Sequence, residues 1–261
     1  MNMNSWNFLA VIGRIFITFL TATGHLILFA GSALRHMAAP PFFLRITFQQ
    51  MLRIGYFSLP VVGLTAIFTG AVLALQIYVG GSRFNAEGFV AQVVVISMVR
   101  ELGPVLAALM LAGRVSSAIA AEIGTMRVTE QIDALTTLAT NPFKYLVAPR
   151  LIAATLTLPL LVLVADIIGV MGGFLAATQR LGMNAGVYMK STMDVLELQD
   201  VTSGMTKAAV FGFLIALMGC YHGYNSKGGA QGVGAATTDA VVSASILILL
   251  FNYIMTDFFF S

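Results

Sequence analysis

The chain has 261 residues, 58% hydrophobic and only 10% charged, with a formal net charge of +3. Soluble domains carry about 25% charged residues, so a mean hydropathy of +0.90 excludes an ordinary soluble domain and points to a polytopic, all-α membrane protein. The basic residues are scattered between apolar runs and never cluster, which excludes a nucleic-acid surface. A scattered positive excess is what anchoring on a cytoplasmic leaflet produces.

In chain order, residues 6–34 are the first apolar candidate. They carry Arg14 and His25, are too long for a signal-peptide core and lack a clear cleavage site. Arg14, Thr18, Thr21, Thr23 and His25 give the stretch polar positions. It either spans or lies in the interface as an amphipathic helix, and hydropathy leaves both open. Five further stretches are long and apolar enough to cross about 30 Å of hydrocarbon: Tyr56–Val79, Gly88–Gly113, Leu151–Thr178, Ala208–Tyr224 and Ala240–Phe260.

The second of these holds Arg100 and Glu101, with no charge in the twelve residues on either side. A charge at the centre of a bilayer costs roughly 2.5–3.5 kcal/mol on insertion scales, so such residues usually face a protein interior or a watery cavity. Pro104 follows. It has no N–H, so the carbonyl of Arg100 loses its helical partner. A charged pair and a freed carbonyl at one depth predict a polar site inside the membrane.

Orientation follows from the basic residues. With the segment before Tyr56 inside, Arg14, Arg35, Arg45, Arg53, Arg114, Arg127, Lys144, Arg150 and Lys227 are cytoplasmic. Arg83, Arg180, Lys190 and Lys207 fall outside, nine against four. The loop 114–150 is then cytoplasmic, and 180–207 is the longer external connection. Within the loop, Glu122–Leu135 (EIGTMRVTEQIDAL) reads as one short helix. Its mixture of charged and apolar residues suits a protein groove as well as a surface connector.

Several chemistries find no support. Gly228–Gly234 (GGAQGVG) is followed by Ala235-Ala236 and not by Lys-Ser or Lys-Thr, so it reads as a tight turn and not a phosphate loop. There is no G-x-S-x-G, no H-E-x-x-H and no ligand cluster with metal spacing; His25, His36 and His222 are far apart. The single Cys220 lies in an apolar run, which rules out a disulfide framework. Gly169-x-x-x-Gly173 and Gly219-x-x-x-Gly223 allow close helix packing. Asp166 sits in mid-span without a visible partner. Asp200 and Lys207, seven residues apart, fall about two turns from each other and could share a helix face.

Taken together, RELGPVLAALMLAGRVSSAIAAEIGTMRVTEQIDAL (Arg100–Leu135), TNPFKYLVAPRL (Thr140–Leu151) and GVGAATTDAVV (Gly232–Val242) resemble the MlaE/YrbE permease family, the membrane subunit of MCE-type ABC lipid transporters. The resemblance covers nearly the whole chain. It implies one polytopic domain over residues 1–261, with 1–55 as an N-terminal interfacial region and 56–260 as a five-span core. It implies two copies in the Gram-negative inner membrane, a separate ABC ATPase that binds ATP and Mg, and a periplasmic MCE-domain ring. A small STAS-domain protein is a possible further partner, and phospholipid or a related lipid is the substrate. Glu122–Leu135 would be the coupling helix that docks in the ATPase, through Glu122, Met126, Arg127, Glu130 and Asp133. Arg100 and Glu101 would lie by the lipid cavity, with Lys207 and Asp200 similar to a lysine and an aspartate of the family. Better-known members carry an aspartate where this chain has Asn252, and arginines in the last cytoplasmic loop where it has Ala235 and Asp239.

The expected function is therefore an ATP-driven lipid permease that maintains outer-membrane lipid asymmetry, with no enzyme activity or cofactor of its own. The alternative is an ion-coupled secondary transporter using Glu101 and Asp166, which inverted repeats would favour; none is visible. An intramembrane enzyme lacks a nucleophile–base arrangement.

Overall fold

The computed structural model describes residues 5–82 and 89–260. Among them every regular element is helical: α1 (Ser5–Ala38), α2 (Leu44–Gly55), α3 (Leu59–Ser82), α4 (Val90–Ser97), α5 (Gly103–Leu111), α6 (Ser117–Val128), α7 (Gln131–Thr137), α8 (Ala148–Gln179), α9 (Ala185–Val195), α10 (Leu198–Tyr224) and α11 (Gly229–Phe260). Short irregular turns join several of these into longer rods. One 3₁₀ turn, Tyr56–Ser58, links α2 to α3. Two π turns, Met98–Leu102 and Ala112–Ser116, join α4, α5 and α6. A third, Phe143–Val147, leads into α8.

Six rods are long and apolar enough to cross a membrane: Ala10–Ala38, Leu44–Gly81, Val90–Val128, Phe143–Gln179, Leu198–Tyr224 and Gly229–Phe260. All five expected spans are present, and most run beyond their expected ends. Hydropathy marks only the roughly 20 residues that sit in hydrocarbon, whereas the helices continue into the interfaces. Gly88, the expected start of the second span, and Arg83 lie outside the described residues.

Two local expectations are corrected. Glu122–Leu135 is not one helix. It breaks at Thr129–Glu130, where Glu130 takes a left-handed φ of 60° and its N–H closes on the Arg127 carbonyl at 3.2 Å. Of the glycine-rich run, only Gly228 and Gly229 form a turn, with φ of 86° and 68°; α11 continues from Gly229 through the rest. Before the first span, α2 runs into α3 through a single turn.

The core forms around α8 and α10. Leu151, Leu158, Leu161 and Val162 of α8 meet Phe211, Ile215 and Met218 of α10, all buried. Close approach to α6 depends on glycine: a Cβ at Gly219 would fall 2.8 Å from the Ser116 carbonyl oxygen, and one at Gly223 2.9 Å from that of Ala120. The Gly219-x-x-x-Gly223 pattern thus serves packing within the chain. By contrast, among its described side chains α1 packs on the bundle through its C-terminal half. The Phe29 ring packs 5.1 Å from Phe143 and 5.5 Å from Tyr221, while Ile15, Phe16, Ile17 and Leu20 are exposed.

Candidate functional site

The π turn Met98–Leu102 holds Arg100 and Glu101. Gly103 N–H reaches back to the Met98 carbonyl, and Pro104 has no N–H to give. The Arg100 carbonyl is therefore free, and it is taken from another helix: Lys207 Nζ of α10 donates to it at 2.9 Å. The same ammonium donates to Glu101 Oε1 at 2.7 Å and to Thr256 Oγ1 at 2.8 Å. All three ammonium protons are thus used, in a side chain that is 0% exposed. A fully buried lysine needs such pairing.

Glu101 is held from α11 as well. Asn252 Nδ2 donates to its Oε2 at 3.0 Å. The Thr256 hydroxyl, four residues on and so on the same helix face, has one proton to share between Glu101 Oε1 at 2.9 Å and the Asn252 carbonyl at 2.8 Å. Glu101 remains 36% exposed, so one side of the carboxylate is open.

Arg100 turns the other way. Its Nε donates to Asp200 Oδ1 at 2.6 Å, and Asp200 is almost wholly buried. Asp200 Oδ2 in turn accepts the Glu197 N–H in a capping box that starts α10. The Phe260 ring lies 4.3 Å from the guanidinium carbon. Adjacent helical residues do not face each other, and here they reach two different partners on one helix. Gly204, between those partners, allows the approach: a Cβ there would fall 2.5 Å from the Val99 carbonyl oxygen.

The four residues singled out from sequence, Arg100, Glu101, Asp200 and Lys207, therefore form one cluster. Sequence reasoning missed Thr256 and Phe260. The signal for Thr256 was its spacing of four from Asn252. The cluster balances two cations against two carboxylates. Its half-exposed members, Arg100 and Glu101, present both signs of charge at one place in an apolar bundle.

At the other end of the same rod lie Glu122, Met126 and Arg127, with Glu130 at the break and Asp133 in α7 beyond it. Arg127 Nη1 meets Asp133 Oδ1 at 2.7 Å across the helix break, and its guanidinium carbon lies 5.7 Å from the Tyr224 ring centre. Met126 packs against the core, and Glu130 is exposed. Glu122 is exposed, and its carboxylate reaches Arg150 and Arg53. Arg114, in the π turn nearby, donates to the Ser58 hydroxyl.

Asp166 does not join the cluster. Its Oδ1 lies over Gly103, without a hydrogen-bond partner. The residue lines a separate apolar cavity of about 460 Å³ with Val99, Ile167, Phe174 and Tyr188. Tyr188, in α9, also lacks a partner for its hydroxyl, and burial pushes its pKa up to about 12. No group of three or more His, Cys, Asp or Glu side chains is placed to hold a metal among the described residues.

The chain matches known proteins along most of its length. The profile of the family Permease MlaE matches residues 47–258. A probable ABC transporter permease protein of Rickettsia conorii is 56% identical over 95% of this chain and 96% of its own length. The chloroplastic protein TRIGALACTOSYLDIACYLGLYCEROL 1 of Arabidopsis thaliana is 38% identical over 83% of this chain and 62% of its own. The intermembrane phospholipid transport system permease protein MlaE of Haemophilus influenzae is 34% identical over 97% of this chain and 98% of its own. Such ABC permease relatives imply a transport subunit with an ATPase partner, in a bacterial inner membrane. By its family profile, its length of match and its all-helical membrane architecture, the chain belongs to the MlaE permease family.

Proposed function

We propose that this permease moves phospholipid, or a closely related lipid, between the inner membrane of a Gram-negative bacterium and a periplasmic MCE-domain partner, so maintaining outer-membrane lipid asymmetry. ATP and Mg bind the ATPase subunit, and this chain contributes no cofactor or catalytic group. A second copy completes the transmembrane core, and a STAS-domain protein can join through the ATPase. The reading makes 1–261 one permease domain. In it α1 lies along the cytoplasmic interface instead of spanning, with the bundle contacts of its described side chains in its C-terminal half.

The observation that carries the proposal is the cluster of Arg100, Glu101, Asp200 and Lys207. A zwitterionic or anionic head group needs a few fixed polar contacts inside an apolar surround, and the half-exposed Arg100 and Glu101 supply both signs. The phospholipid transport named for the Haemophilus relative supports the substrate class. Docking of the ATPase at α6 and α7 would move the rod Val90–Val128, which carries Arg100 and Glu101 at its other end.

The ion-coupled alternative requires Glu101 and Asp166 on one path. Glu101 is committed to Lys207, Asn252 and Thr256, and Asp166 lines an apolar cavity that includes none of them. The test is reconstitution of the complex with labelled phospholipid. ATP-dependent transfer to the MCE partner supports the reading. Transfer that follows an imposed ion gradient without ATP contradicts it.

A further inference from the structure

Glu122 lies near the end of the rod Val90–Val128, about 30 Å from Glu101 at 1.5 Å per residue. Its Oε2 is 3.1 Å from Arg150 Nη2 of α8. Its Oε1 is 3.7 Å from Arg53 Nη1 of α2. The Arg150 side chain is only 4% exposed, its Nη1 donates to the Leu146 carbonyl at 2.6 Å, and its Nε has no partner. Glu122 is the one carboxylate that meets this buried guanidinium among the described residues. Both oxygens of Glu122 thus meet cations of its own chain, on a side chain that is 43% exposed.

We propose that Glu122 is a positioning residue that ties the coupling segment α6 to α8 and to α2. The inference rests on the ABC permease reading above. The π turn Ala112–Ser116 stands between α6 and the cluster, and a π turn is a place where a rod can yield. Without a tie, a push on α6 could be absorbed there. With it, the push is shared with α8, and through α2 with the first span, which continues as α3. Three rods then move together, and the cavity end responds. The pair holds because a buried arginine stripped of its counter-ion is costly, so α6 and α8 stay joined through the cycle.

The test uses the reconstituted complex with its ATPase and reads lipid transferred per ATP hydrolysed. In Glu122→Gln the ATPase should still co-purify and hydrolyse ATP, while lipid moved per ATP falls at least tenfold. Arg53→Gln, an exposed change that leaves the buried pair intact, should lower the same ratio about two- to fivefold at unchanged melting temperature. A purely structural role would lower hydrolysis and transfer together and leave the ratio alone. An unchanged ratio in Arg53→Gln overturns the tie to α2 even where Glu122→Gln fails to fold. Loss of the ATPase from Glu122→Gln overturns the proposal by making Glu122 a docking contact. A wild-type complex that moves no lipid with ATP would overturn the transport reading itself, and the tie with it.

Discussion

Lys207 is the residue on which the cluster turns. Its ammonium answers one carboxylate, one hydroxyl and one carbonyl, and its side chain is fully buried. Lys207→Met should leave Glu101 without its cation and the Arg100 carbonyl without a donor. Breaking a buried pair from one side costs roughly 3–5 kcal/mol, so a clear fall in melting temperature in detergent or nanodiscs is expected. Lys207→Arg should not restore it, because a planar guanidinium cannot aim at the same three acceptors. An unchanged melting temperature would mean that the three contacts are not made. Part of this was legible in the sequence. Pro104 announced a freed carbonyl, and the apolar flanks of Arg100 announced a buried charge. Hydropathy alone did not pair Glu101 with Lys207, because a predicted span has a depth but no facing and the two are more than a hundred residues apart; the family resemblance put both by one cavity.

Among the elements, the break between α6 and α7 decides how the coupling segment presents itself. The run Val128-Thr129-Glu130-Gln131 has no glycine, asparagine or proline, so nothing local marked the left-handed turn. The Arg127–Asp133 pair across it holds α7 against the end of α6. Reversing Arg127 and Glu130 together (Arg127→Glu, Glu130→Arg) should therefore act twice, by setting like charges at Asp133 and by inverting the exposed charge at the turn. The expected result is loss of ATPase on co-purification. Thermal stability should change by less than about 1 kcal/mol, because exposed pairs contribute little. Undiminished ATPase binding would remove α6 and α7 from the docking surface. Charge and apolar residues were visible here from sequence, but the ion pair of Glu122 was not, since it depends on Arg150 across the bundle.

On the scale of the molecule, the five expected spans and the coupling loop were legible because length and hydropathy fix them. The packing of α10 and α11 onto the rod Val90–Val128 was not, because small residues such as Gly204, Gly219 and Gly223 mark a close contact without naming its partner. A single copy leaves α3 and α11 with exposed Leu64, Phe68, Ile246 and Tyr253, and the proposed lipid cavity requires a second copy. Mass measurement of the intact complex in nanodiscs should find two copies of this chain; one copy in an active complex would contradict the homodimer. The central claim is that the charges of the cluster handle lipid and do not merely hold helices together. Replacing both members of a buried pair by apolar residues is often neutral or stabilising by 1–4 kcal/mol, so the double variant Glu101→Met, Lys207→Met separates the two roles. ATP-driven lipid transfer by the complex carrying it should fall at least tenfold while ATPase binding is kept and the melting temperature falls less than in Lys207→Met, which leaves Glu101 unpaired as well. Transfer at the wild-type rate in that variant would contradict the account.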